Sequence, residues 1–298
     1  MVEPMTKPNQ MSTARPEAYG SIACHLGQEK LMEQIMRGQV RVPDGERSLL
    51  SPFPPVLVPI WVTGARTIVG LWKHWFSDRQ PTFVEFYGTT VYGRRNMAFE
   101  RGRTLKQVIY GHLFECITNR DGVDDEIQAF ANACGISDVD EIDRISIDGG
   151  DVTTLRSHAE FVGKLPLSFF DCDNQTDYTG DFPTNAVASS TAALQRCCVH
   201  EIHSGFQNLE PDYTLREAVA QNSNSPEWFR TTSQSELFER LLNANDLEGA
   251  WMCLNSPAWT LANARQAITD LAARANDTAF SALATTWVNL PFADDEMF

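Results

Sequence analysis

The stretch "VLVPIWVTGARTIVGLWKHWFSDRQPTFVEFY", residues 56–87, decides the fold. It divides into three runs, "VLVPIWV" (56–62), "TIVGLWKHW" (67–75) and "PTFVEFY" (81–87), each rich in β-branched and aromatic residues. Such runs suit a pleated, half-buried surface and predict strands. The spacers "TGAR" and "FSDRQ" are short, polar and turn-like, too brief for a crossover, so the strands are expected to form an antiparallel meander. Pro59 cannot donate to a strand ladder and predicts an edge or a break at that point.

Upstream, Pro52, Pro54 and Pro55 mark a loop before the first strand. "HLGQEKLMEQIMRG" (25–38) has helical periodicity, with Leu31, Met32, Ile35 and Met36 on one face and Gly38 at the stop. Downstream, "RTLKQVIYGHLFECIT" (103–118) returns to a helical period. Thr104 and Gln107 stand at capping-box spacing, and Leu105, Val108, Ile109, His112, Leu113 and Cys116 form one stripe. A histidine within such a stripe reads as a satisfied core residue unless folding supplies a partner. "DGVDDEIQAFANACG" (121–135) predicts a further helix closed by Gly135. "DVDEIDRISIDGGD" (138–151) reads as an acidic stretch ending in a turn.

Residues 151–183 suggest no regular element. Within them "DCDNQTDYTGD" (171–181) is calcium-loop-like in composition only. It lacks glycine at the sixth position and glutamate at the twelfth, which excludes calcium there. From Thr184 the chain reads as helical, through "TNAVASSTAALQRCCVHEIH" (184–203), "SQSELFERLLNA" (233–244), "DLEGAWMCLN" (246–255), "WTLANARQAITDLAARA" (259–275) and "DTAFSALATTWVNL" (277–290). The expected class is therefore α+β. An N-terminal helix and antiparallel β-meander with packed helices precede a mostly helical C-terminal portion. The expected divisions are a disordered tail over 1–22, an α/β domain over 23–183 and a helical domain over 184–298.

The opening residues are polar and proline-bearing and lack the apolar core of a secretory signal. No apolar run reaches the eighteen or so residues that span a bilayer. Seven scattered cysteines, an odd number, suit reduced thiols rather than a disulfide framework. These features make the cytoplasm the expected compartment. Net charge is −15, unevenly placed: residues 1–110 balance to +5 and residues 111–298 to −20. Such asymmetry supports solubility, and it also suits a basic partner.

"CCVHEIH" (197–203) is the densest cluster of ligand-type residues. On a helix Cys197, His200 and His203 each turn about 60° from the last, so the outer two diverge by about 120° and stand about 9 Å apart along the axis. A helix could offer one metal two ligands at most, and the spacing differs from HExxH. Cys197 and His200 are thus metal candidates only if distant sequence completes the set. Cys198 falls on a stripe with Leu194 and Ile202 and reads as core. No G-x-S-x-G elbow, P-loop or G-x-G-x-x-G occurs, and no cofactor is expected. A Cys–His pair assembled by folding stays open.

The basic run "YGRRNMAFERGRTLK" (92–106) places Arg94, Arg95, Arg101, Arg103 and Lys106 among Tyr92 and Phe99. It could hold phosphate or stack on bases, which makes a nucleic-acid or nucleotide sensor an alternative. A loop-to-helix junction paired with the chain's own acidic half is the favoured explanation, because a pI near 4.8 argues against nucleic acid. The acidic residues Asp124, Asp125, Glu126, Asp138, Asp140, Glu141, Asp143 and Asp148 are the expected partner-binding set. The first three also suit a helix start, whereas the others have no such local reason.

The segment "PPVLVPIWVTGARTIVGLWKHWFSDRQPTFVEFYG" resembles the central strands of the SUKH superfamily, in which a helix leads to a strand with a proline-flanked apolar motif. The likeness covers about residues 23–95 and carries over no functional residue. Many bacterial members of that family look like immunity proteins, which neutralise toxins that are often nucleases. The resemblance thus implies a non-enzymatic cytoplasmic protein covering a basic, nuclease-like toxin with an acidic surface. The alternative from another class is a metal-dependent enzyme using Cys197 or His200 with distant ligands.

Overall fold

Three runs of strand-forming sequence become three central strands of one antiparallel sheet. The computed structural model describes residues 14–27, 30–63, 67–88, 97–149, 152–162, 182, 191–202, 219–230 and 233–298. Strand order follows the chain: β1 (Gly45–Glu46), β2 (Leu57–Thr63), β3 (Ile68–Trp72), β4 (Thr82–Tyr87) and β5 (Met97–Gly102). With its helices the sheet makes an α+β fold. Pro59 sits where the β2–β3 register shifts, between Pro59 and Trp61. β1 pairs only with Val62 and Thr63. The outer edge of β2 beside Pro59 therefore carries no strand among the described residues, as a proline in a strand requires. The sequence reading missed β1 and β5. β1 is too short to signal, and β5 lies in the basic run that read as a junction.

Register alternation separates two faces. Trp61, Val69, Glu85 and Phe99 follow one another across β2 to β5 on one side. Helix α3 (Leu105–Arg120) packs over this side. It starts at Thr104, whose hydroxyl accepts the Gln107 N–H, while Gln107 accepts from the Arg103 N–H. Every residue of its predicted stripe is buried. Two shorter helices precede the sheet, α1 (Gly20–His25) and α2 (Lys30–Met36), and α2 buries Met32, Ile35 and Met36 as its periodicity predicts. α4 (Asp125–Ala133) begins at its Asp124 cap, and Gly135 beyond it takes a positive φ of 69°.

Four expectations need correction. The acidic stretch at 138–151 contains a full helix, α5 (Val139–Gly149), because Val139, Ile142 and Ile145 recur on one face and are buried. The tail is shorter than 22 residues: Ala14 bridges to Leu49, Pro16–Tyr19 form a 3-10 turn, and Tyr19 and Ile22 are fully buried. Of the helix expected over 184–203, the described residues 191–202 form only α6 (Thr191–Leu194) and a 3-10 turn at Val199–Glu201, with Cys198 extended between them, and residues 184–190 and 203 lie outside the described residues. Finally, the C-terminal helices do not pack apart. α7 (Gln234–Asn243), α8 (Leu247–Leu254), α9 (Leu261–Ala275) and α10 (Thr278–Val288) share one core with the sheet. Trp287 Nε1 donates to Phe53 O at 3.1 Å, Asn255 Oδ1 accepts the Val56 N–H at 2.7 Å, and Phe76 packs edge-on to both Trp251 and Phe280. Among the described residues no helix is long and apolar enough to cross a membrane. The excluded calcium loop at 171–181 lies outside the described residues.

Candidate functional site

The residues of "CCVHEIH" that the structure describes, 197–202, are buried against the face of the sheet opposite α3, apart from half-buried Val199. Glu201 is their centre. Its Oε1 accepts from Arg79 Nη2 at 2.6 Å, His74 Nε2 at 3.2 Å and Trp72 Nε1 at 3.2 Å, and its Oε2 accepts the Cys198 N–H at 2.7 Å. Burial pushes this carboxyl up, but Arg79 and then His74 outweigh it and hold Glu201 far below the ordinary range. Burial lowers His74. Facing a carboxylate, His74 carries its proton on Nε2, and its Nδ1 has no hydrogen-bond partner among the described residues.

His74, Cys198 and Glu201 bring metal-capable atoms within 4.8 Å of one another. Their bonding suits an ion pair better than a metal. Four donors occupy the roughly four acceptor positions of one carboxylate, and the Arg79 cation lies inside the group. Burial holds the Cys198 thiol well above its usual range. Of the two residues singled out for a metal, Cys197 donates its thiol to Ala193 O, and His200 is fully buried edge-on to Phe86 and Trp72. Neither belongs to the metal-capable group. His203 lies outside the described residues. The partners His74 and Arg79 stand more than a hundred residues from Glu201, so no local pattern could have announced them.

The expected acidic set separates into engaged and free members. Asp124 caps α4 and meets Arg120, which also holds Asp44 and Glu126. Glu126 meets Arg41 as well, at 3.2 Å. Asp138 accepts from Tyr110 Oη at 2.5 Å and from His158 Nε2 at 3.0 Å. Burial raises the Asp138 carboxyl, yet these bonds outweigh it and leave the group below its ordinary value. Asp143 is half-buried. Asp125, Asp140, Glu141 and Asp148 are exposed, and of these Glu141 and Asp148 share Arg144 at 3.9 and 3.5 Å. On the same outer face of α5 as Asp140 and Asp148, Ile147 is 77% exposed.

Asp138, Glu141 and His158 form the second metal-capable group. Here the histidine tautomer decides against a metal. His158 Nδ1 accepts the Glu160 N–H at 3.2 Å, so the neutral ring keeps its proton on Nε2 and donates it to Asp138. A metal-bound histidine needs the reverse arrangement, with the far nitrogen as donor.

Of the basic run, Arg94, Arg95 and Tyr92 lie outside the described residues. Arg101 is on β5, ion-paired with Glu85 and 3.4 Å from Glu115, and Lys106 meets Glu160 at 3.5 Å. The chain's own carboxylates thus answer these two cations. Arg101, Glu85 and Glu115 line a small pocket between α3 and the sheet, with Trp61 and His112. Glu115 is pushed up by loss of surrounding water ahead of the opposing pull of Arg101; at Glu85 burial is overcome by Arg101 and the Thr67 hydroxyl, and the carboxyl is lowered. His112 bonds Pro43 O at 2.8 Å, which makes it the satisfied core histidine its stripe implies.

No protein-family model, curated protein or solved structure matches this chain.

Proposed function

We propose that this protein is a non-enzymatic binding protein, an immunity-type inhibitor that covers a basic, nuclease-like toxin in the cytoplasm. The carrying observation is the outer face of α5, where exposed Ile147 stands among Asp140, Asp148 and the single cation Arg144. An apolar anchor ringed by carboxylates combines the two needs of such an interface. Desolvated apolar area supplies affinity, and complementary charge speeds encounter and rejects acidic competitors. The −20 balance of residues 111–298 extends the same field. No disulfide joins the described cysteines to one another, which suits a reducing compartment.

The test is native co-purification from the source cell, followed by stopped-flow association with the basic protein recovered. Ile147→Asp should raise Kd by about 30-fold or more, the scale of a central anchor. Asp140→Lys with Asp148→Lys should slow association and flatten its salt dependence. Association kinetics unchanged by both variants would remove this face from the interface.

A further inference from the structure

An open cleft of about 590 Å³ separates the Gln39–Arg41 segment from α4. That is within the roughly 300–1,000 Å³ range of ligand sites. Asp125, Glu126, Ala129, Phe130 and Ala133 all line it, because positions spaced by three and four residues fall on one side of a helix. Val40 closes the opposite wall. The floor is therefore apolar and the rim carries two carboxylates. Asp125 is exposed and forms no ion pair among the described residues, while Glu126 is held by Arg41 and Arg120.

We propose that this cleft takes an arginine side chain of the basic partner; the proposal rests on the acidic-surface reading above. The chemistry of the walls selects the residue. An arginine stem lies along Val40, Ala129 and Ala133, as long cationic side chains cover apolar surface while the head stays polar. The planar guanidinium then donates to Asp125 and Glu126 in the forked geometry that carboxylates accept best. The chain already shows half of this recognition in itself. Arg41, with its side chain 86% exposed, reaches across the cleft mouth to place Nε 3.2 Å from Glu126 Oε1. An incoming arginine replaces Arg41 at that carboxylate and gains Asp125 in addition. Lysine, a compact and strongly hydrated charge, satisfies only one of the two carboxylates at a time.

Fluorescence anisotropy with labelled nona-arginine tests this, using the full chain. Ala129→Trp fills the cleft without changing any charge, and Ala129 is exposed on α4. It should weaken binding at least tenfold. Asp125→Arg, at an exposed helix start, should do the same and serves if the tryptophan variant melts early. Arg41→Ala should tighten binding more than Arg144→Ala, which removes the same charge from α5. Full affinity in Ala129→Trp and Asp125→Arg, with binding lost in Asp140→Lys/Asp148→Lys, overturns the cleft and leaves the acidic-surface reading standing. Full affinity in all of them overturns both. Equal tightening by the two arginine deletions overturns the replacement of Arg41.

Discussion

A carboxylate shielded from water, Glu201, stays ionised because Arg79 lies 2.6 Å away and three further donors complete its shell. Such a pair adds little net stability, yet removing one partner strands the other as a buried charge. Arg79→Leu should therefore cost about 3–5 kcal/mol, and Arg79→Leu/Glu201→Leu much less. Urea unfolding of the two variants checks this; equal losses would show that Glu201 is not held chiefly by Arg79. Burial also lowers His74 and His112. Below about pH 6.5 the unfolded chain then binds protons that the folded chain refuses. Stability is lost as pH falls from about 6.5 toward the folded values. The melting temperature should drop between pH 7 and pH 5, and His112→Gln should flatten that slope. A slope that His112→Gln leaves unchanged would assign the acid sensitivity to other groups.

Among the elements, the central strands were legible because their β-branched and aromatic residues leave no helical alternative, and α3 and α4 because caps and apolar periods agree. α5 was missed since its carboxylates dominate the eye, although Val139, Ile142 and Ile145 hold a helical spacing. Residues 191–202 were misread for the opposite reason. Their local pattern is helical, but the bonds of Glu201 to Arg79 and to the Cys198 N–H impose an extended residue where a helix would run. Gly70 is a case where the sequence marks a real constraint. It faces Pro59 at the β2 register shift, and a Cβ there would lie 2.5 Å from Val58 O and 2.6 Å from Leu57 Cδ1. Because backbone must yield, Gly70→Ala should cost about 1–3 kcal/mol. Thermal melts near wild type would mean that β2 relaxes away from β3.

Over the whole molecule, a division near residue 183 looked natural because a stretch with no regular pattern, 151–183, precedes sequence that reads as helical from Thr184 onward. Composition alone cannot show that both portions contribute to one core, since that depends on which faces meet. Here the meeting is specific. Trp287 bonds the loop before β2 through Phe53 O, Asn255 bonds the Val56 N–H, and Trp251 and Phe280 enclose Phe76 beyond β3. The candidate acidic face lies far along the chain from these contacts, on helices packed over α3. Loosening the C-terminal helices should therefore lower stability without altering binding once the chain is folded. Asn255→Ala leaves the buried Val56 N–H without its acceptor, a loss of about 1–3 kcal/mol. Calorimetry should show wild type melting in one transition, with Asn255→Ala shifting that whole transition downward. A variant that instead separates into two transitions, with the sheet melting at its original temperature, would restore the C-terminal helices as an independent unit. In that case partner binding could be sought on them separately from α5.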